Sequence, residues 1–317
     1  MRLLVLGGTR FVGRWMAETA LARGHDVTVF HRGHTVSDRL PAADEILGDR
    51  ALDLDRVGER RFDAVLDACG YVPRIVRLSC ESMKLLAPLY AFVSTISVYD
   101  GTEPPDERSP LVQLKDPTTE VVDGDSYGGL KALCEGEVRR AYPESHFIVR
   151  PGFVIGPGDH TDRFTYWALK ACAGGRFAVP TAHDQPLQAI DARDLASFVI
   201  DSIEQRVCDT VNATGPDSPW DFRSVLEVCA SVCGSTIAPV FEVDSDIVGP
   251  LCLDRGSWPA MHAEIKRARS LGLQLRPLEE TVKDLLAWHK ERGAPPPIVG
   301  LSADDEERIL ARQVPSA

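Results

Sequence analysis

The stretch Leu3-Leu-Val-Leu-Gly-Gly-Thr-Arg-Phe-Val-Gly13 constrains this chain most. Four consecutive apolar residues suit a central parallel strand buried on both faces. Gly7 and Gly8 then turn the chain, and Gly13 falls where a helix should open. That helix runs to about residue 23, and Gly24 ends it. Asp26-Val-Thr-Val-Phe30 supplies a second strand and closes a strand–helix–strand unit. A glycine turn in this setting lets backbone approach a pyrophosphate. The helix N-terminus offers it free N–H groups and a partial positive charge. The plain alternative is a strand–turn–helix with no ligand.

The first half continues the alternation. Strands are expected at 44–47, 62–68, 89–95 and 146–150, and helices over 73–86 and 126–142. Repeated units of this kind predict an α/β fold with a doubly wound parallel sheet, right-handed crossovers and ligands at the carboxyl ends of the strands. Turn formers crowd residues 151–159, and a helix is expected over 164–173. A helix to residue 203 and a strand at 210–214 should return to the main sheet. Two or more helices after Trp220 should form a small lid. Residues 1–155 with about 186–214 are thus expected to make one domain, and about 156–185 with 215–290 a second. In the tail, 291–317, a Pro295-Pro-Pro297 spacer precedes a charged helix over 304–312. Ser302 and Asp305 fit a capping box there. The tail can dock on the body or stay mobile.

The formal net charge of −12 argues against a nucleic-acid partner. No apolar run approaches the ~20 residues of a membrane span. A first strand already at the N-terminus leaves no cleavable leader to expect. The eight cysteines are scattered and read as reduced core thiols of a cytoplasmic protein, not as a metal site or a disulfide framework.

Tyr127-Gly-Gly-Leu-Lys131 carries the chemistry. A spacing of four on a helix puts Tyr and Lys on one face, one turn apart. Lowering a phenol from its usual ~10 to near 7 needs about 4 kcal/mol. A lysine cation ~4 Å away at an effective dielectric of ~20 supplies about that much. The alternative is a surface tyrosine beside a solvated lysine. Thr95 stands at the end of the fifth strand, where its hydroxyl can hold a substrate oxygen and the phenol, or be satisfied by backbone.

These stretches, Gly-Gly-Thr-Arg-Phe-Val-Gly13, Val-Ser-Thr-Ile-Ser-Val-Tyr99 and Tyr-Gly-Gly-Leu-Lys131, in this order, resemble the extended short-chain dehydrogenase/reductase family, NAD-dependent epimerase/dehydratase branch. Arg150-Pro-Gly-Phe-Val-Ile-Gly-Pro-Gly-Asp159 and Gln188-Ala-Ile-Asp-Ala-Arg-Asp194 resemble its later motifs. The likeness covers about residues 1–290. It implies a Rossmann sheet with a smaller, mainly helical substrate-binding lid. It also implies an enzyme with a bound nicotinamide dinucleotide and Thr95, Tyr127 and Lys131 as catalytic trio. Gly7, Thr9, Arg10, Phe11, Val12, Gly13, His31, Arg32, Asp49, Ala68, Gly70 and Pro151 would bind the cofactor together with Tyr127 and Lys131. Asp49 can equally be a simple loop carboxylate. Family members are often dimers through a helix pair that would include residues 126–142.

Two departures from the family pattern matter. Arg10 stands at the middle glycine of the turn, and the second strand ends in Phe30-His31-Arg32 without the acidic residue that favours NAD. Arg10 and Arg32 can converge on a 2′-phosphate, which makes NADP the expected cofactor and NAD the alternative. Both arginines can also lie in solvent beside the adenine. Ile96 and Ser97 occupy the places of the dehydratases' Asp-Glu pair, which turns the expectation to a reductase or dehydrogenase, with an epimerase second. A non-catalytic dinucleotide sensor is a third reading. The substrate is expected to be a small, polar, sugar-nucleotide-like or polyol-like molecule. Tyr71, Ser97, Arg163 and Trp167 are its candidate contacts. Arg163 would take a phosphate and Trp167 would stack on a ring, unless this helix packs its aromatics into a core.

Overall fold

A computed structural model describes residues 1–34, 40, 42–241 and 247–312. Along the chain it places β1 (Arg2–Leu6), α1 (Phe11–Ala22), β2 (Asp26–His31), β3 (Asp44–Leu47), β4 (Ala64–Asp67), α2 (Pro73–Met83), β5 (Tyr90–Val93), α3 (Tyr127–Ala141), β6 (His146–Pro151) and β7 (Phe153–Ile155). There follow α4 (Arg163–Ala173), β8 (Gly175–Val179), β9 (Pro186–Leu187), β10 (Ala189–Asp191), α5 (Ala192–Glu204), β11 (Asp209–Ala213), β12 (Trp220–Asp221), α6 (Phe222–Cys233), β13 (Ile237–Phe241), α7 (Lys266–Ser270), α8 (Leu278–Glu291) and α9 (Ala303–Arg312).

Seven strands form one parallel sheet in the order β11-β6-β5-β4-β1-β2-β3. This is a Rossmann-like α/β fold. The apolar run in β1 has the burial its composition requires, since Leu3, Leu4, Val5 and Leu6 are all 0% exposed. Their side chains alternate between faces. Leu3 and Val5 join Met16 and Ala20 of α1 and Leu195 and Val199 of α5 in one core. Leu4 and Leu6 join Val76 and Cys80 of α2 and Cys134 and Val138 of α3 in the other. Full burial of each such side chain stabilises by roughly 1.5–3 kcal/mol, so helices must cover both faces. Strand order reverses between β1 and β4, the point where a doubly wound sheet opens a crevice at its carboxyl ends.

The helix α5 and strand β11 do return to this body, while β10 pairs with β7 in a small sheet of its own. A third core gathers Phe164 and Trp167 of α4, Phe222 and Leu226 of α6, and Leu285 of α8. Two short sheets flank it, β8 with β13 and β9 with β12. The expectation of uniformly reduced cysteines is corrected here. Cys172 at the end of α4 and Cys233 at the end of α6 are disulfide-bonded, with Cα atoms 5.3 Å apart. Cys229 and Cys233 share a helix, but only the second is bonded to Cys172. The pair is 61 residues apart, so nothing local announces it. The cytoplasmic expectation loses this pair as support.

The tail docks as far as residue 312. The Asp305 N–H donates to Ser302 Oγ at 3.1 Å and the Asp305 carboxylate accepts the Ser302 hydroxyl at 2.7 Å, so Ser302 caps the helix. Ile309 is fully buried and Lys170 pairs with Glu306 at 2.5 Å. Upstream, Arg292 pairs with Asp162 at 2.6 Å, and the Leu301 N–H donates to the Tyr166 hydroxyl at 3.2 Å. Residues 313–317 of the expected tail lie outside the described residues. No helix among the described residues is long and apolar enough to cross a membrane.

Candidate cofactor and catalytic site

A groove of about 570 Å³ opens at the carboxyl ends of β1, β2 and β4. Gly7, Thr9, Arg10, Phe11, Val12 and Gly13 line it on one side, His31, Arg32 and Asp49 on another, and Ala68 and Tyr71 on a third. Gly7 has φ +84°, and an added Cβ would lie 2.6 Å from Cys69 Cβ. Only glycine lets the turn pass so close to the end of β4. Arg10 has φ −135°, ordinary extended backbone, which is why an arginine is tolerated where the family has glycine. The left-handed conformation falls instead on Phe11, at φ +40°.

The residues fit an anionic dinucleotide. The helix α1 opens into this groove with no side-chain cap and no acidic residue in its first turn. Its first N–H groups therefore need an acceptor from outside the helix. Arg10 and Arg32 are both exposed, and neither guanidinium has an ion-pair or hydrogen-bond partner among the described residues. The buried His31 Nε2 lacks a hydrogen-bond partner and stands 3.5 Å from a Glu45 oxygen. Asp49 uses Oδ1 to accept the Ala51 N–H at 2.8 Å while lining the groove. It is thus a loop-forming carboxylate that also faces the cavity.

None of the three expected catalytic side chains lines this groove; they stand beside Tyr71, which does, at the end of β5 and the start of α3. The start of α3 abuts the turn after β5, and a Cβ on Gly128 would run into the Ser97 carbonyl. Glycine at 128 is therefore a packing requirement. Lys131 is 3% exposed. Its ammonium donates to the Gly70 carbonyl at 2.6 Å and to the Val93 carbonyl at 2.7 Å, joining the ends of β4 and β5. It also lies 4.0 Å from the centroid of the Phe92 ring and 5.3 Å from that of Tyr71. Burial lowers the Lys131 pKa to about 8, against raising contributions from Cys134 and Asp67. Thr95 Oγ1 donates to Ser97 Oγ at 3.1 Å and accepts the Ser97 N–H at 3.1 Å.

The expected electrostatics of Tyr127 are corrected. Burial pushes its phenol above the ordinary value; the Thr95 hydroxyl and the Arg163 charge only pull it part of the way back. Lys131 does not lower it, because its ammonium is turned to the strand-end carbonyls. The Tyr127 ring is 6.3 Å from Tyr71, which borders the groove, and Tyr127 also lines a separate cavity of about 380 Å³ with Ser97, Asp123 and Asp125.

Other expected residues fall differently. Gly70 is buried and contributes its carbonyl to Lys131. Pro151 is buried at the end of β6 opposite Ala213 and does not line the groove. Arg163 is half-buried and donates to Thr161 Oγ1 at 3.1 Å. Trp167 is not available to a substrate ring. It is 1% exposed, packs edge-on against Tyr166 and Phe222, and gives its indole N–H to the Pro250 carbonyl.

One cluster escaped the sequence reading. Arg50, on the loop after β3, makes a two-pronged pair with Asp67 at 2.7 and 2.6 Å; Asp67 is fully buried and also accepts from the Tyr90 hydroxyl at 2.8 Å. Burial works against both charges. The pairing outweighs it, leaving the Asp67 carboxyl below and the Arg50 guanidinium above their ordinary values. The signal was present: a carboxylate inside the apolar strand Phe62-Asp-Ala-Val-Leu-Asp67 must find a partner. Arg50, Cys69 and His160 also line the groove.

No family model matches the chain. It is 26% identical to dTDP-6-deoxy-L-talose 4-dehydrogenase (NAD(P)(+)) of Kitasatospora kifunensis, over 93% of this chain and 96% of that one. It is 24% identical to the chloroplast stem-loop binding protein of 41 kDa b of Arabidopsis thaliana, over 74% of this chain, and spans 63% of that protein's length. Among solved structures, UDP-glucuronic acid 4-epimerase from Bacillus cereus in complex with NAD superposes with a TM-score of 0.71 at 15% identity, over 92% of this chain and 97% of that one. The resemblance drawn from the motifs thus holds at the level of the fold.

Proposed function

We propose that this chain is an NAD(P)-dependent oxidoreductase acting on a carbinol or carbonyl of a small polar molecule, sugar-nucleotide-like or polyol-like. The observation that carries the reading is the rim of the sheet. Tyr127 and Lys131 stand there one helical turn apart, with Thr95 acting on the phenol, next to a groove that suits a dinucleotide. The NAD(P)-dependent dehydrogenase relative and the NAD-bound epimerase of the same fold support it.

The cofactor supplies a hydride donor or acceptor at its nicotinamide. Everything else falls to this chain. The first turn of α1 holds the pyrophosphate, with Gly7, Thr9, Phe11, Val12 and Gly13 shaping the approach. His31, Asp49 and Ala68 bound the rest of the groove. Lys131 spends two N–H groups on backbone carbonyls and keeps a third for a ribose hydroxyl. Tyr127, with its phenol above the ordinary value, carries its proton at neutral pH and is set to deliver it to a substrate oxygen. That favours reduction of a carbonyl. Ser97 and Arg163 are the proposed substrate contacts beside Tyr127, and Tyr71 caps the space between substrate and groove. Residues 1–155 with about 186–214 form the proposed dinucleotide-binding domain, and about 156–185 with 215–290 the substrate-binding one. NADP is the proposed cofactor in preference to NAD, because Arg10 and Arg32 are cations in search of an anion.

The second reading, an epimerase with internal cofactor recycling, draws on the epimerase fold-mates. Purified protein with NADPH or NADH and a panel of ketones and sugar nucleotides separates the cases. Consumption of reduced nicotinamide is the expected result, with Tyr127→Phe slowing turnover by about 10²–10⁴. NADPH binding with no carbonyl consumed, or full turnover by the variant, overturns the oxidoreductase reading. Epimerised product without net consumption supports the second.

A further inference from the structure

Beside the cofactor groove lies a second cavity, of about 440 Å³, that no step above uses. Three parts of the chain meet around it: the start of α1 with Arg14 and Trp15, the turn after β7 with His160, and α8 with Trp288. Arg10, Phe11 and His160 border both cavities. Phe11 holds its left-handed backbone at φ +40°, strained for a residue with a side chain. Its ring meets the His160 ring edge-on at 6.4 Å, and both residues line both cavities.

The lining has a definite chemistry. Trp15 lines the cavity with its indole N–H spent on the Pro157 carbonyl at 2.7 Å, while the Arg193 guanidinium lies 5.9 Å from the centroid of its ring. The Trp288 indole N–H has no hydrogen-bond partner among the described residues, and the Arg292 guanidinium lies 4.3 Å from the centroid of its ring. Arg14 is paired with Glu18 at 2.7 Å. Burial, helped by the Arg10 charge, holds His160 below its ordinary value. Among the described residues, what remains is one cation without a charge partner, Arg10, beside half-buried aromatic rings and an N–H donor without an acceptor.

We propose that this second cavity is a binding site for a planar aromatic anion, seated between Trp15 and Trp288 with its charge on Arg10. Resting on the NADP reading above, the site is coupled to the groove through that shared arginine. An occupant that engages Arg10 takes it from the 2′-phosphate of NADP and takes nothing from the 2′-hydroxyl of NAD.

The test uses phenyl phosphate as probe and inorganic phosphate as control, with binding followed by titration calorimetry. Phenyl phosphate is expected to bind saturably. Its affinity should fall at least about tenfold in Trp288→Ala and less in Trp288→Phe, which keeps a ring but loses the N–H. At saturation it should weaken NADPH binding about fivefold or more and leave NADH binding unchanged. NADPH affinity without probe should be the same in both Trp288 variants as in the wild type. The proposal is overturned if phenyl phosphate binds the Trp288 variants as well as wild type, if inorganic phosphate binds equally well, or if the probe competes equally with NADPH and NADH. If neither dinucleotide binds, the proposed function fails, while the comparison of the Trp288 variants still decides on the second cavity.

Discussion

The proposed cofactor site holds its positive charges in opposite ways at its two ends. At the end proposed for adenosine, Arg10 and Arg32 lie exposed and without ion-pair or hydrogen-bond partners among the described residues. At the end proposed for nicotinamide, Lys131 is almost wholly buried and fixed by two backbone carbonyls. An exposed cation is free to choose its anion, but solvent and salt screen it. A buried one must have acceptors before any ligand arrives, so it is aimed in advance at the cost of a lowered proton affinity. The first arrangement suits selection between cofactors, and the second suits placing a ring for chemistry. Arg50 and Asp67 show a third, a buried charge cancelled in place.

The largest effect should come from the fixed cation. Lys131→Met should reduce turnover by about 10²–10⁴, measured at saturating cofactor. Wild-type activity should fall as pH rises through about 8, where Lys131 loses its proton; the variant should lack that limb. The stability sign is the reverse. Unfolded lysine keeps its proton to about 10.5, so the penalty of a buried ammonium is present below about 8 and is relieved as pH climbs between those values. An unchanged alkaline limb in Lys131→Met would erase the contrast between the two ends.

Next comes the cancelled pair. Asp67→Ala leaves the Arg50 guanidinium buried and uncompensated, and should cost about 3–5 kcal/mol of stability in denaturant unfolding. A loss under about 1 kcal/mol would mean that Arg50 escapes to water through the groove, which would place it with the free cations.

The smallest effect belongs to a single exposed arginine. Arg32→Ala should weaken NADPH by about 10- to 100-fold, the worth of one charge-assisted contact, and leave NADH nearly unchanged. The difference should shrink as salt is raised. An NADPH preference that survives the substitution would remove the adenosine end's claim to selectivity.

How much of this could be read from residues alone depends on how locally each feature is encoded. The strand β1 was legible because burial on both faces demands an unbroken apolar run, and Leu3 to Leu6 provide it. The Tyr127–Lys131 register was legible because helical geometry fixes a spacing of four. The direction of the Lys131 ammonium was not, since the Gly70 and Val93 carbonyls come from two other strands. Of the two readings of Trp167, substrate contact or core aromatic, the fold takes the second, and residues alone left both open because an aromatic in a polar segment does not reveal that α6 will cover it. The Cys172–Cys233 bond and the Arg50–Asp67 pair also depend on elements brought together by the fold. Asp67 still announced itself as a carboxylate needing a partner, though not which one.

Lys131 also has a mechanical meaning. One ammonium rivets the mouths of two neighbouring strands, so the rim cannot spread without breaking at least one of its two bonds. Pulling that nitrogen toward a bound sugar ring would strain the same two anchors, which ties the grip on the ligand to the stiffness of the rim.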